Sequence, residues 1–381
     1  MLTSTQDLSN FVAAVLSDGI AFIAVDCEFV RQTTYRPLLG LIQMATTQDV
    51  VLIDPLAPGL DLSVLKPLLT HPPLTKVFHS GRQDIEIFYH LFQECPAPLF
   101  DTQIAAAFVG LGEGIGYEKL VKDILGLTID KAEQYTDWLQ RPLTDNQLNY
   151  ALHDVLYLRQ IYPLLCQRLE RLNRQEWPLE EFAYLSNPEL YKLSPEKAWQ
   201  KINLPKGKWQ ALSLLWDLAA WREQYAYQAN LSRNILADNR LLTNLCQHPF
   251  LTVTPMQEWL KDYRQQILNQ GCFDDFYACY QQAFTFLQTP SPALDQRKQD
   301  IKNYLQQHSR NPLNSHQKQQ VLYLRKGLQA IADTLNLPLS YLANRRDLES
   351  FVRHATTDHK LTKGWRRNLV DDFLSHFRSE N

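Results

Sequence analysis

The chain has little of what would tie it to a membrane, a thiolate metal cage or a disulfide framework. Six cysteines, at 27, 95, 166, 246, 272 and 279, are scattered over 381 residues without a CxxC pair. That spacing argues against a zinc site and for reduced thiols packed as small hydrophobes. No apolar run approaches the roughly 18–20 residues a membrane span needs. The opening MLTSTQDLSN lacks the basic start and apolar stretch of a signal peptide. A cytoplasmic protein with no membrane partner is expected. Charge of one sign is also scarce: the net charge is −3, which by itself calls for no nucleic-acid partner. Its distribution says more. Residues 291–381 hold 15 Lys+Arg against 9 Asp+Glu, so +6, and the first 290 hold 23 against 32, so −9. An acidic body carries a basic tail.

What is present is a soluble, globular composition, 45% hydrophobic and 21% charged, in a chain long enough for two or three domains. Residues 5–17 read as an amphipathic helix, followed by three strands in IAFIAVDCEF, LLGLIQMAT and VVLIDP. LTKVFHS reads as a fourth strand entering a helix from Arg82 to Phe92. A strand or turn near Phe100 precedes a helical DTQIAAAFVG. From Thr144 to Leu169 the pattern is strongly helical, with Thr144 as N-cap, Gln147 completing a capping box and Pro163 as a point where it would kink. This is α/β up to about residue 175. A connector with Pro178, Pro188, Pro195 and Pro205 follows, and the rest reads as all helix.

The helical half repeats itself. Residues 212–242 laid over 318–348 without a gap match at Asn230/Asn336, Leu231/Leu337, Leu236/Leu342, Ala237/Ala343, Arg240/Arg346 and Leu242/Leu348. The period is too long for a solenoid and suits two copies of a small helical domain. Shared turn residues, and not leucines alone, mark it as a duplication.

The chemistry lies in the acids. In FIAVDCEFV, residues 22–30, an apolar strand ends on Asp26 and Glu28. Side chains alternate along a strand, so these two share a face and Cys27 points away. Like charges so placed repel and resist desolvation, and something must neutralise them. Asp84, in VFHSGRQDIEIF, sits one turn into a helix that follows a strand. Tyr150 and Asp154, in NYALHDVLYL, are four apart and stack on one helix face, where the packing residues around Asp154 predict partial burial. Four carboxylates without Cys or His at ligand spacing suit hard cations, Mg²⁺ or Mn²⁺. Two such ions would clamp the attacking and leaving oxygens of a phosphodiester. The Tyr150 hydroxyl would orient the attacking water.

Strand D-x-E, then strand–helix Asp, then helix Y-x-x-x-D is the order of motifs in the DEDD exonuclease superfamily, which this chain resembles in its tyrosine variant. The histidine variant would place His where Asn149 stands. His153, next to Asp154, is expected to face elsewhere. YTDWLQRPLTDNQLNYALHDVLYL, TYRPLLGLIQMA and VFHSGRQDIEIF are similar to the ribonuclease D family. The two repeats resemble the HRDC modules that follow its nuclease domain, with LAAWREQYAYQANLSRNILADNRLL as the first and LPLSYLANRRDLESF…LTKGWRRNLV as the second.

The resemblance implies an α/β ribonuclease-H-like exonuclease domain at 1–175, a mixed sheet whose first three strands are antiparallel, flanked by helices. A connector at 176–208 and two all-α helical-bundle HRDC domains at 209–289 and 290–381 would follow. It implies a 3′→5′ exoribonuclease that binds two divalent cations and acts as a monomer. The substrates would be transfer RNA precursors and other small structured RNAs with single-stranded 3′ ends, releasing nucleoside 5′-monophosphates. Asp26, Glu28 and Asp154 would contact the metals, Asp84 would hold one mainly through water, and Tyr150 would position the nucleophile. Two positions depart from the family pattern: Ser232, where the second repeat keeps Pro338, and Leu139, where a small polar residue is common. Phe29, His79, Trp138 and Arg141 are candidate RNA contacts near the acids, and Lys363, Arg366 and Arg367 around Trp365 are candidates in the basic tail. An enzyme of the same chemistry acting on single-stranded DNA is the rival expectation, disfavoured by the tandem helical modules.

Overall fold

A computed structural model describes all residues except 130–132, 134–135, 204–208, 249–252, 262–270, 309–312, 355–358 and 381. Pro205 of the expected connector lies outside the described residues. Helix α1 (Thr5–Ser17) is capped by the Ser4 hydroxyl and buries Leu8, Val12 and Val15. Strands β1 (Phe22–Val30), β2 (Leu38–Ala45), β3 (Val50–Ile53), β4 (Thr75–Phe78) and β5 (Leu99–Asp101) form one sheet in the order β3-β2-β1-β4-β5. The sheet is mixed: β2 and β3 pair antiparallel, and β1, β4 and β5 pair parallel. β1 is central, which explains its unbroken run of Ile23, Ala24 and Val25, all fully buried.

Helices flank this sheet: α2 (Lys66–Thr70), α3 (Arg82–Phe92), α4 (Thr102–Phe108), α5 (Tyr117–Leu125), α6 (Asp145–Arg171) and α7 (Leu179–Leu185). α6 packs against β1, β3 and β4. It opens on the expected capping box, with Thr144 and Gln147 each bonding the other's backbone N–H, and it runs through Pro163 as one helix of 27 residues. Ala151, Val155, Leu158, Ile161 and Leu165 form its buried stripe at three- and four-residue steps.

The all-helical part comprises α8 (Trp209–Gln228), α9 (Arg233–Leu236), α10 (Asn239–Gln247), α11 (Val253–Lys261), α12 (Phe273–Gln288), α13 (Pro292–His308), α14 (Ser315–Thr334), α15 (Leu339–Leu342), α16 (Arg345–His354) and α17 (Gly364–Glu380). The duplication is structural. α8, α9 and α10 start at residues whose repeat partners start α14, α15 and α16, all at the one offset that aligned the sequences. The turn residue is left-handed in both copies, Asn230 at φ 50° and Asn336 at φ 49°. Asparagine is one of the few residues that adopts this conformation at low cost.

The chain divides into two compact units. One is Met1–Val30, Leu39–Tyr191 and Pro312–Asn381; the other is Arg31–Leu38 with Lys192–Asn311. The second repeat thus belongs to the unit that holds the sheet, and α13 packs on α8 in the other unit. In the first unit Tyr341 and Trp365 pack on Phe108, with ring centroids 4.7 and 5.5 Å apart. Asn336 donates through its side-chain amide to the Gly110 carbonyl at 3.2 Å. Among the described residues no helix is long and apolar enough to cross a membrane.

Candidate active site

The central strand delivers two of the acids. Beyond Val25 the chain leaves the core, and Asp26 and Glu28 emerge half-buried where β1 meets α6. α6 brings up Asp154, buried at 8% exposure. The three carboxylates come together, each offering an oxygen within 4.8 Å of the others. Burial is the main cause that pushes all three up: Asp26 to about 7, Glu28 to about 10, and Asp154 well above its ordinary range. Mutual repulsion adds to the shift of Glu28 and Asp154. A cluster that resists ionising without a counter-charge is what a divalent cation relieves.

Asp84 stands apart from that trio and is buried at 6%. The Cys27 backbone N–H and its thiol both donate to the Asp84 carboxylate. Burial, then the nearby charge of Asp26, raise Asp84 well above its usual value. Cys27 does lie on the other side of the strand from Asp26, and it serves there as the holder of the fourth acid. The turn that launches α3 is fixed by Asp101, whose carboxylate accepts from Ser80 and Gly81 at 3.2 and 2.9 Å and caps α4 through Gln103 and Ile104. Gly81 is required in that turn: a Cβ there would meet Phe78 at 2.5 Å. Asp101 was missed by sequence reasoning. Its only trace there is an Asp between a strand and a helix.

Tyr150 donates its hydroxyl to Asp154. Burial, then the carboxylates, push the phenol further above its already high ordinary value, so it stays a hydrogen-bond donor. Tyr117 was also missed; its hydroxyl donates to the Asp154 backbone carbonyl and ties α5 to α6. A cavity of about 390 Å³ opens beside Tyr150 and Asp154, lined also by Asn149, His153 and Tyr157. His153 therefore borders the same space as Asp154, contrary to its expected orientation. It is held there by stacking on Tyr157, centroids 5.4 Å apart.

The remaining candidates divide. His79 bonds the Thr102 hydroxyl through Nδ1 at 3.0 Å, and burial lowers it to about 4, so the ring is neutral. Phe29 packs at the edge of the core. Lys363 and Arg367 are exposed. Three are corrected by their surroundings. Trp138 is 1% exposed, lies against the Gly40 backbone and packs 6.1 Å from the Tyr150 ring. Arg141 is bound bidentately to Asp54 at 2.6 and 2.9 Å and to the Gly40 carbonyl at 2.6 Å. Arg366 is 1% exposed and paired with Glu180 and Glu181. Trp138 and Arg366 are enclosed, and the Arg141 guanidinium is committed to Asp54 and Gly40. Trp138 and Arg141 brace the loop that enters α6 and so position Tyr150.

Residues 1–170 match the family model described as a 3′-5′ exonuclease. Curated relatives named ribonuclease D match from Sphingobium indicum, 43% identical over 250 residues, and Gluconacetobacter diazotrophicus, 43% over 243. These alignments cover 65% and 64% of this chain, and 64% and 61% of those proteins. Among solved structures, the Escherichia coli RNase D, described as an exoribonuclease involved in structured RNA processing, superposes with TM-score 0.80 at 28% identity, covering 100% of this chain and 98% of that one. The chain is similar to the ribonuclease D proteins in sequence and in fold. It spans less than two thirds of the length of the first curated relatives it matches. A protein from Bifidobacterium adolescentis, 19% identical over 100% of this chain and 96% of its own, shares the fold at TM-score 0.65.

Proposed function

We propose that the chain is a metal-dependent 3′→5′ exoribonuclease that trims transfer RNA precursors and other small structured RNAs, releasing nucleoside 5′-monophosphates. The observation that carries this reading is the meeting of Asp26, Glu28 and Asp154 from distant parts of the chain, oxygens within 4.8 Å, with Tyr150 bonded to one of them. Similarity to proteins named ribonuclease D, and the description of the E. coli protein as an exoribonuclease involved in structured RNA processing, support the choice of RNA.

The donor set is all carboxylate oxygen, which fits Mg²⁺ or Mn²⁺. Asp26, Glu28 and Asp154 would hold the ions directly, with Asp84, fixed by Cys27, completing a site for two. Bound there, divalent cations supply acidified water and offset charge on the phosphoryl oxygens. The chain's own residues do the rest. Tyr150 keeps its proton, which it donates to Asp154 in a hydrogen bond, and its hydroxyl oxygen orients the attacking water as an acceptor. Trp138 and Tyr117 fix the rotation and height of α6, so that Tyr150 and Asp154 need no reorganisation when the bond breaks. The two helical copies would act as HRDC-type modules that hold the body of the RNA.

The test is digestion of an RNA with a single-stranded 3′ tail, beside a DNA of the same sequence. Hydrolysis of the RNA should require Mg²⁺ or Mn²⁺ and yield 5′-monophosphates. Undiminished hydrolysis in full chelator overturns the reading, and preference for DNA moves the substrate to the rival class.

A further inference from the structure

A second polar cavity, of about 450 Å³, lies in the unit formed by Arg31–Leu38 and Lys192–Asn311. Four cationic side chains line it, Arg31, Lys201, Arg222 and Arg233, against a single acid, Glu223. That acid is spent: its two oxygens accept from Arg233, one of these bonds at 2.6 Å, and from the Tyr35 hydroxyl at 2.6 Å. Arg222 feels the charge of that acid but makes no hydrogen bond to it. Buried at 4% exposure, Arg222 bonds the Ala237 carbonyl and the Asn239 side chain through Nη1. Its Nε is buried with no hydrogen-bond partner among the described residues.

A buried guanidinium with an unsatisfied donor is costly, and here that cost has a location. At the corresponding place in the second helical copy stands Leu328, wholly buried. The helix scaffold therefore does not need a cation there. Burial also lowers the Arg222 pKa to about 10, and the nearby charges of Glu223 and Asp238 only partly offset it. Tyr35, under the Arg233 guanidinium at 4.2 Å from its ring centroid, fixes that cation in place.

We propose that this cavity is an anion site that receives a backbone phosphate of the RNA, with Arg222 and Lys201 as its principal cations. The assignment of the anion to RNA rests on the proposed exoribonuclease reading; the need for an anion does not. Planar guanidinium donors with a mobile ammonium at the rim suit a phosphodiester, which offers two charged oxygens and no sequence information.

The experiment uses the full chain, a labelled single-stranded RNA in chelator, and two variants. Arg222→Leu copies the second repeat; Lys201→Glu changes an exposed residue and leaves the fold intact. Each should weaken RNA binding by about tenfold. Each should also lower the slope of log affinity against log salt by about one or more. Inorganic phosphate should compete with RNA for the wild type and lose that effect in Arg222→Leu. Wild type that cleaves RNA while both variants keep its affinity and salt slope overturns the site. Phosphate binding that RNA does not displace assigns the pocket to a free anion and overturns the RNA assignment. Wild type that cleaves no RNA at all sinks the exonuclease reading instead, and is told apart by that failure.

Discussion

The carboxylates at the end of β1 and the guanidinium of Arg222 pose one physical problem with opposite signs. Each is a charge withdrawn from water that no direct ion pair within the chain fully meets. At Asp26, Glu28 and Asp154 three like charges share one site and all are pushed toward the protonated form. At Arg222 a lone cation has an unpaired Nε. Arg366 is the instructive contrast: equally buried, it has Glu180 and Glu181 as partners and serves to dock α17. An unmatched buried charge marks a place for a ligand, and a matched one marks an internal joint.

The comparison breaks most visibly at the acids. Asp154→Asn should lower RNA hydrolysis by a factor on the order of 10³ or more, yet raise the melting temperature of the metal-free protein, because a repelling charge is gone. A variant that melts lower than wild type in chelator contradicts the account of mutual repulsion.

A smaller effect is expected from pH. Asp26 rises from 3.8 to about 7 and Glu28 from 4.5 to about 10 on folding. The folded protein therefore holds protons that the unfolded chain has released. Their stabilising contribution is complete below about pH 4 and is lost as pH rises through 7 and toward 10. Melting curves in chelator should fall across that window, and saturating Mn²⁺ should flatten the fall. Equal curves with and without the ion would count against these acids as its ligands.

Arg366→Met should cost about 2 kcal/mol in thermal stability while RNA affinity stays as it was, since its charge is already met. Arg222→Leu should show the reverse, a stability change within about 1 kcal/mol and weaker RNA binding. Loss of RNA affinity in Arg366→Met would restore the basic tail as the main footprint.

Much of this was legible in the chain's order of residues. The D-x-E ending of an apolar strand, the Tyr150–Asp154 spacing and the Thr144–Gln147 capping box depend on neighbours within four residues, where strand and helix geometry dictate outcome. The duplication was legible too, because a left-handed turn at Asn230 and Asn336 needs a particular residue and so leaves a mark. The motif around Trp138 and Arg141 offered an RNA contact beside packing and a salt bridge, and residue order alone could not choose between them. An aromatic and an arginine look alike whether they meet a base or the backbone of Gly40 and the carboxylate of Asp54.

By itself, then, the sequence determined which elements form and which acids they carry, since periodicity and capping are local. The tertiary structure alone decided which charges find partners. It turned Cys27 into a support for Asp84, gave Arg366 two glutamates, and left the Arg222 Nε unsatisfied. Counter-charge depends on residues that chain order separates by up to 186 positions and that only packing brings within a hydrogen bond's reach.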